Sequence, residues 1–481
     1  MAKAQSTDKP ILVLFRNDLR IADNGALSTA AATGRPVIPV FIFDGESKGV
    51  RPLGGARRWW LHHSLSALGR RIAALGAPLL LRRAPMLETA LALVEETGAE
   101  LVLWNRRYDP PEAAVDARMD ATLRKKGIRT QDFDGHLLHE PSQLKTGSGG
   151  PYKVYSPFWR ALAAQAEPRD PVDAPSSLRP FDEALASDSL EDWDLTPAKP
   201  DWAGGLRLDW TPGEDGAQDR LRDFLDGAIS GYGESRDIPG AQGTSSLSPH
   251  LAHGEITPFQ IFSALKSRDI DAPSHDLEKF RKEVGWREFA YHLLFHNPDL
   301  RDANFNDRFD DFPWKPDADL LRSWQRGQTG YPIVDAGMRQ LWTTGWMHNR
   351  VRMIVASFLV KHLLIDWRDG EKWFWDTLVD ADPANNPVSW QWVAGSGADA
   401  APYFRIFNPI LQGEKFDPDG LYVRRYVPEL EHVPAKYIHK PWEAPKTEMD
   451  KARVKLGDTY PVTVIEHQNA RNRALLAYKA I

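Results

Sequence analysis

The hydrophobic pattern of this chain changes character partway along, and that change limits the possible folds more than any single motif. Residues 11–135 alternate short apolar runs with amphipathic segments. Ile11-Leu12-Val13-Leu14-Phe15, Val37-Ile38-Pro39-Val40-Phe41-Ile42-Phe43, Leu79-Leu80-Leu81 and Leu101-Val102-Leu103-Trp104 read as strands, with helical periodicity at Trp59 to Ala74 and Met86 to Glu96 between them. Strands spaced by helices predict βαβ units and a parallel sheet. From about residue 226 helical periodicity dominates, as in Glu278 to Phe295, Val334 to Trp342 and Arg350 to Leu364, so this half reads as all-helical. Residues 136–225, rich in Pro, Ser and Asp, read as a connector wrapped on the surface. The expected division is an α/β domain over 1–135, a linker over 136–225 and a helical domain over 226–481.

A length of 481 residues exceeds what one core supports, in keeping with two domains. The chain has no cysteine, which removes disulfides, thiolate zinc sites and cysteine-ligated iron–sulfur clusters together. Its net charge of −6 has the wrong sign for gripping nucleic acid with the whole surface, so such a partner must meet a local basic patch. The polar N-terminus shows no signal peptide or membrane span, and the chain reads as soluble and cytoplasmic. Neither a G-x-G-x-x-G nor a Walker phosphate loop follows the first strand.

Candidate chemistry concentrates in the helical half, which holds eleven of the 18 tryptophans from Trp286 onward. The stretch from Trp375 to Trp392 mixes acids, amides and indoles. Asp380 and Asp382 can accept from ring N–H groups, Asn386 can donate and accept, and Trp390 and Trp392 can pack nearby or carry electrons. A capped helix end followed by core tryptophans accounts for the same residues equally well. Gly243-Thr244-Ser245-Ser246-Leu247-Ser248-Pro249 offers hydroxyls and backbone N–H groups ahead of a helix, suiting either a helix cap or a phosphate cradle. Glu283 and Arg287 stand one turn apart, as a surface ion pair would, while Trp286 and Phe289 on the same helix imply burial. In Trp346-Met347-His348-Asn349-Arg350-Val351-Arg352-Met353, Asn349 and Met353 share a helix face.

These four segments, followed by Ala400-Ala401-Pro402-Tyr403-Phe404-Arg405-Ile406-Phe407-Asn408-Pro409 and Gln412-Gly413-Glu414-Lys415-Phe416, closely resemble the photolyase/cryptochrome flavoproteins. The resemblance runs from Phe15-Arg16-Asn17-Asp18-Leu19-Arg20 to about Pro428 and is strongest after Tyr232. It implies a Rossmann-like α/β antenna domain and a helical domain holding U-shaped FAD. The FAD-binding positions it implies are Tyr232, Thr244, Ser245, Ser246, Leu247, Ser248, Arg287, Asn349, Arg352, Asp380, Asp382 and Asn386. Arg287 and the hydroxyl loop would take the pyrophosphate. An Arg352–Asp380 pair would favour the anionic reduced ring. Asn386 would face flavin N5, where repair enzymes commonly carry Asn.

The resemblance also implies the reaction, which is light-driven repair of cyclobutane pyrimidine dimers in ultraviolet-damaged DNA by an electron from excited FADH−. Asn349 and Met353 stand where (6-4) enzymes carry histidines. Glu283, Trp286, Asn349, Met353 and Trp392 match the dimer pocket, with Glu283 expected to hydrogen-bond the pyrimidine carbonyls. Arg236, Arg350 and Arg405 match phosphate contacts, assisted by Lys415, and Trp390, Trp367 and Trp314 match an electron relay. The overall character is closest to the class III bacterial group. Glu112 matches the residue that holds a folate antenna, but the second contact, a Lys in folate-binding relatives, reads Arg301-Asp302. The expected antenna is 5,10-methenyltetrahydrofolate, with 8-hydroxy-deazaflavin as the alternative. No membrane or obligate protein partner is expected, and the chain reads as a monomer that meets DNA in the bacterial nucleoid. The rival function is a cryptochrome-type blue-light photoreceptor.

Overall fold

The computed structural model describes residues 8–266, 270–400 and 402–481. Residues 1–7, on which part of the leaderless reading rests, and Ala401 of the quoted motif lie outside the described residues. Five parallel strands form one sheet in the order β3-β2-β1-β4-β5: β1 Ile11–Phe15, β2 Val37–Phe43, β3 Leu80–Arg83, β4 Leu101–Asn105 and β5 Arg129–Phe133. β1 lies at the centre, in register with Val37 to Phe41 on one side and Leu101 to Trp104 on the other.

Its residues are apolar throughout because both faces are covered. Ile11, Val13 and Phe15 pack with Leu27, Leu61 and Leu65, whereas Leu12 and Leu14 meet Leu93 and Met119 on the opposite face. The four strands expected from the apolar runs form within a residue or two. β5 was not anticipated, because as an edge strand it reads Arg-Thr-Gln-Asp-Phe and carries no apolar run.

The helical half holds the expected helices, among them Ser274–His296, Pro332–Thr344, Asn349–Ser357, Trp367–Thr377 and Asn385–Ala394. The stretch expected as one helix from Arg350 to Leu364 divides instead. An α-helix runs to Ser357, a π-helical turn covers Phe358–Leu363, and Leu364 stops it with φ +57°.

The connector is more than a surface wrap, because it supplies core residues to both halves. Its helix Tyr155–Ala163 lays Phe158 against Phe289, 5.1 Å between ring centres, on the Ser274–His296 helix. Further along, Leu178, Leu190, Trp193 and Leu195 enter the sheet core, and the Leu178 N–H donates to the Leu75 carbonyl at 2.6 Å. Its Pro, Ser and Asp content hid these anchors, which are scattered singly and without period.

The two domains meet through buried polar contacts. The Arg20 guanidinium, almost wholly enclosed, donates to the carbonyls of Asp23 and Gly254, and Glu214 of the connector accepts from the N–H groups of Ile21 and Ala22 at 2.9 and 3.0 Å. Each buried charge thus meets several partners, which burial of a charge requires.

Candidate functional site

The turn between the helices Trp367–Thr377 and Asn385–Ala394 collects the acids and the amide. It is tethered by the Val379 N–H donating to the Gly345 carbonyl at 2.8 Å. Arg352 bonds Asp380 Oδ2 at 2.8 Å and steadies itself on the Met347 carbonyl at 2.7 Å. Asp380 Oδ1 is buried and has no partner among the described residues. A buried acceptor of this kind is costly unless a donor reaches it. It therefore fits the N–H edge of a flavin ring.

Asp382 lies beside it and serves the chain. Oδ1 accepts from the N–H groups of Ala384 and Asn385 and from the Asn385 amide, and Oδ2 accepts from the Tyr291 hydroxyl at 2.7 Å. With three donors on one oxygen and a hydroxyl on the other, Asp382 holds the turn. Tyr291, unforeseen in the sequence, remains a hydrogen-bond donor because burial, and then Asp382, raise its pKa well above the usual phenol value.

The Asn386 amide nitrogen donates to Glu371 Oε1 at 2.8 Å and to the Glu371 carbonyl at 3.1 Å. Both atoms only accept, so the Asn386 oxygen turns the other way, available to a donor. Glu371 escaped the sequence reading because one acid on an aromatic helix carries no signal of its own.

Residues 243–248 form the hydroxyl loop ahead of the helix Ser248–His253. A side chain at Gly243 would come within 2.6 Å of the Ser235 carbonyl oxygen, so only glycine permits this approach. Ser246 holds φ +51°, an uncommon conformation for a residue with a Cβ. Thr244, Ser245 and Ser246 are half-buried, Leu247 is buried, and the Ser248 hydroxyl accepts from the Trp346 indole at 3.2 Å. Tyr232 packs against Phe224 and Phe280. Arg287 is engaged on the connector. Its guanidinium donates to the His136 carbonyl and to His136 Nε2, both at 2.8 Å. Burial and then the Arg287 charge hold the His136 pKa well below its usual value, so the imidazole is a neutral acceptor.

The residues expected around a lesion come from three helices, with Asn385–Ala394 packed against both Ser274–His296 and Asn349–Ser357. Trp286, Met353 and Trp392 are half-buried and Asn349 is exposed. Trp286 stacks on Tyr155, centroids 3.7 Å apart and planes within 10°. Tyr155 belongs to the connector, and nothing in the sequence marked it.

Glu283 forms an ion pair with Arg236, not with Arg287. An ion-paired carboxylate presents acceptor oxygens to whatever lies beside it. Arg350 pairs with Asp237 at 2.9 Å and lies 4.4 Å over the Phe416 ring. Of the three arginines expected at phosphates, Arg405 is the exposed one, in a turn whose Arg405 carbonyl accepts from buried Lys361 at 3.2 Å. Burial, helped by the Arg405 charge, lowers Lys361 to about 7. Lys415 is exposed beside Phe416.

Trp390 and Trp367 are buried in one cluster, with half-buried Trp314 against its edge. Trp390 packs edge-on against Phe374 at 4.9 Å and Trp324 at 6.1 Å, while the Trp367 indole donates to Asn304 Oδ1 at 2.9 Å. Trp324 was not singled out in the sequence.

Glu112 faces the crevice beyond the C-terminal ends of β1 and β4, where doubly wound sheets bind ligands. It pairs with Arg107 at 3.4 Å and accepts weakly from Asn17. Neighbouring Asp109 is raised to about 7, by burial first and then by the Glu112 charge, with Arg301 opposing. A carboxyl with a raised folded pKa contributes stability present below its unfolded value and lost as pH climbs through the folded one. Asp109→Asn should therefore melt like the parent near about pH 4 and above it at pH values past about 7. Parallel melting curves across that window would refute this.

Residues 11–176 match the family described as DNA photolyase, and residues 280–480 match the FAD binding domain of DNA photolyase. The chain is 58% identical to a deoxyribodipyrimidine photo-lyase of Agrobacterium fabrum, over 98% of each chain. It is 37% identical to cryptochrome-2 of Arabidopsis thaliana, over 96% of this chain and 78% of the relative. The crystal structure of a bacterial class III photolyase from Agrobacterium tumefaciens superposes with a TM-score of 0.97 at 57% identity, covering 99% of this chain and 98% of that one.

Proposed function

The chain belongs to the photolyase/cryptochrome family, and from that membership we propose that it repairs cyclobutane pyrimidine dimers in DNA. FAD, when bound and reduced, supplies the light-excited electron. The observation that carries this reading is the Asp380 carboxylate, fixed by Arg352 through one oxygen and buried without a partner at the other. Asn386, its amide nitrogen committed to Glu371, adds a second oriented acceptor beside it. The hydroxyls of Thr244, Ser245 and Ser246, with the N–H groups leading into Leu247 and Ser248, would hold the pyrophosphate. Arg287 secures the connector through His136 behind this site.

A dimer must leave the duplex to approach such a site, and photolyases are among the enzymes that extrude their target base. Trp286, backed by Tyr155, and Trp392 offer faces for stacking, worth about 1–3 kcal/mol per base. The Glu283 carboxylate, held by Arg236, accepts pyrimidine N–H groups, while Asn349 and Met353 line the remaining wall. Arg405 takes a phosphate. Arg405→Ala should lower the slope of log K against log salt by about 0.9 for duplex DNA, and an unchanged slope in a binding titration would remove that contact. Arg236 and Arg350, each tied to a carboxylate, should change it less.

Illuminating the reduced protein with a thymine-dimer duplex tests the function itself. Dimers should disappear in the light and persist in the dark. Persistence in both, with the flavin intact, would favour the photoreceptor reading.

For the antenna we propose 5,10-methenyltetrahydrofolate, with Glu112 accepting from its pterin ring and Arg301 on the far side. The crevice at Glu112 encloses only about 20 Å³, so the antenna would lie across its mouth. An absorption band near the ultraviolet–blue boundary distinguishes the folate from 8-hydroxy-deazaflavin. We further propose a monomer acting in the cytoplasm. Among the described residues no helix is long and apolar enough to cross a membrane.

A further inference from the structure

We propose that Arg51, a residue of the sheet domain, is a positioning residue for the Asn386 amide, so that domain docking decides which end of the amide meets the flavin. The proposal rests on the reading of Asn386 as flavin-facing.

Arg51 follows β2 in the N-terminal domain and crosses to the helix Trp367–Thr377. Its two terminal nitrogens bond Glu371 Oε1 and Oε2 at 2.7 and 2.9 Å, the fork-on-fork arrangement in which an arginine fixes a carboxylate's plane as well as its charge. The Glu371 side chain is only 3% exposed. Neighbouring contacts lock the same junction. The Arg51 guanidinium lies 4.0 Å over Trp375, the Trp375 indole donates to the Pro52 carbonyl at 2.9 Å, and the Gly55 N–H donates to Asp376 Oδ1 at 2.8 Å.

Glu371 is also what orients Asn386, through the two bonds from the amide nitrogen. With Glu371 ionised, a reversed amide would set its oxygen against two acceptors, so one orientation is allowed. That exclusion depends on Arg51. Without its cation a buried carboxylate turns toward water or takes up a proton. In the first case it releases the amide nitrogen. In the second it gains a donor, which the amide oxygen satisfies as well as the nitrogen did. Either way only the Glu371 backbone carbonyl still favours the nitrogen end, and the hold on the Asn386 oxygen weakens. A sheet-domain residue thereby governs an atom at the flavin in the other domain.

The test follows the flavin, not repair. Parent, Arg51→Gln, Arg51→Lys, Asn386→Ala and the Arg51→Gln/Asn386→Ala double variant are loaded with FAD and reduced. Return of the oxidised flavin's visible band is then timed in air and darkness. Arg51→Gln should speed reoxidation about tenfold, the scale of one charge-linked hydrogen bond, with Arg51→Lys between it and the parent. On the Asn386→Ala background the same change should add less than about twofold, because the two residues act in series. FAD content and melting temperature are measured alongside, and if Arg51→Gln loses flavin, Arg51→Lys, alone and combined with Asn386→Ala, carries the same comparison. Equal acceleration with and without Asn386, or none in Arg51→Gln while Asn386→Ala responds, overturns the proposal and leaves the Asn386 reading standing. An Asn386→Ala protein that reoxidises like the parent removes that reading and the proposal with it.

Discussion

Arg352→Ala is expected to give a protein that purifies without flavin and unfolds more easily by about 3 kcal/mol, the lower end of the range for breaking a buried ion pair. The lower end applies because the Arg352 side chain is 25% exposed whereas that of Asp380 is 3% exposed. The substitution leaves a carboxylate with neither oxygen charge-compensated in the place where a ring edge must bind. It also frees the Met347 carbonyl that Arg352 ties down. The ratio of flavin to protein absorbance and a denaturant titration measure the two parts separately. A fully yellow preparation with parental stability would mean that the Arg352–Asp380 pair organises nothing.

Gly370→Ala is the second large effect. Gly370 lies on the helix Trp367–Thr377 with the Trp390 indole against its backbone, and an added Cβ would overlap three ring atoms. Trp390 is held by Phe374 and Trp324 and cannot retreat without opening the core. Overpacking of this kind costs about 1–3 kcal/mol, with the indole displaced. Photoreduction of oxidised FAD should fail in Gly370→Ala as in Trp390→Phe. Repair by prereduced enzyme should survive in Trp390→Phe, which removes the donor without adding volume. Retained photoreduction in both variants would take Trp390 out of the electron path.

The sheet and the helical half were legible because their periodicities are strong. β1 announces itself as five apolar residues in succession, and Val334 to Trp342 repeats at helical spacing. β5 was not legible, since an edge strand faces water and needs no such run. At the site, Asp380, Arg352 and Asn386 could be named because their motifs are local. Glu371, Tyr291, Tyr155 and Arg51 could not, because each acts across a gap of fifteen to several hundred residues that only the fold closes. Arg236, Arg287 and Asp382 have protein partners that their motifs do not announce, for the same reason. The sequence displays their charge but not the partner that claims it.

The Tyr155–Trp286 stack makes the aromatic wall one-sided. Tyr155 already covers one face of the indole, so a ring that stacks on Trp286 has only the other face to use. On the proposed reading, a thymine that stacks on Trp286 meets an indole whose other face the connector has already fixed.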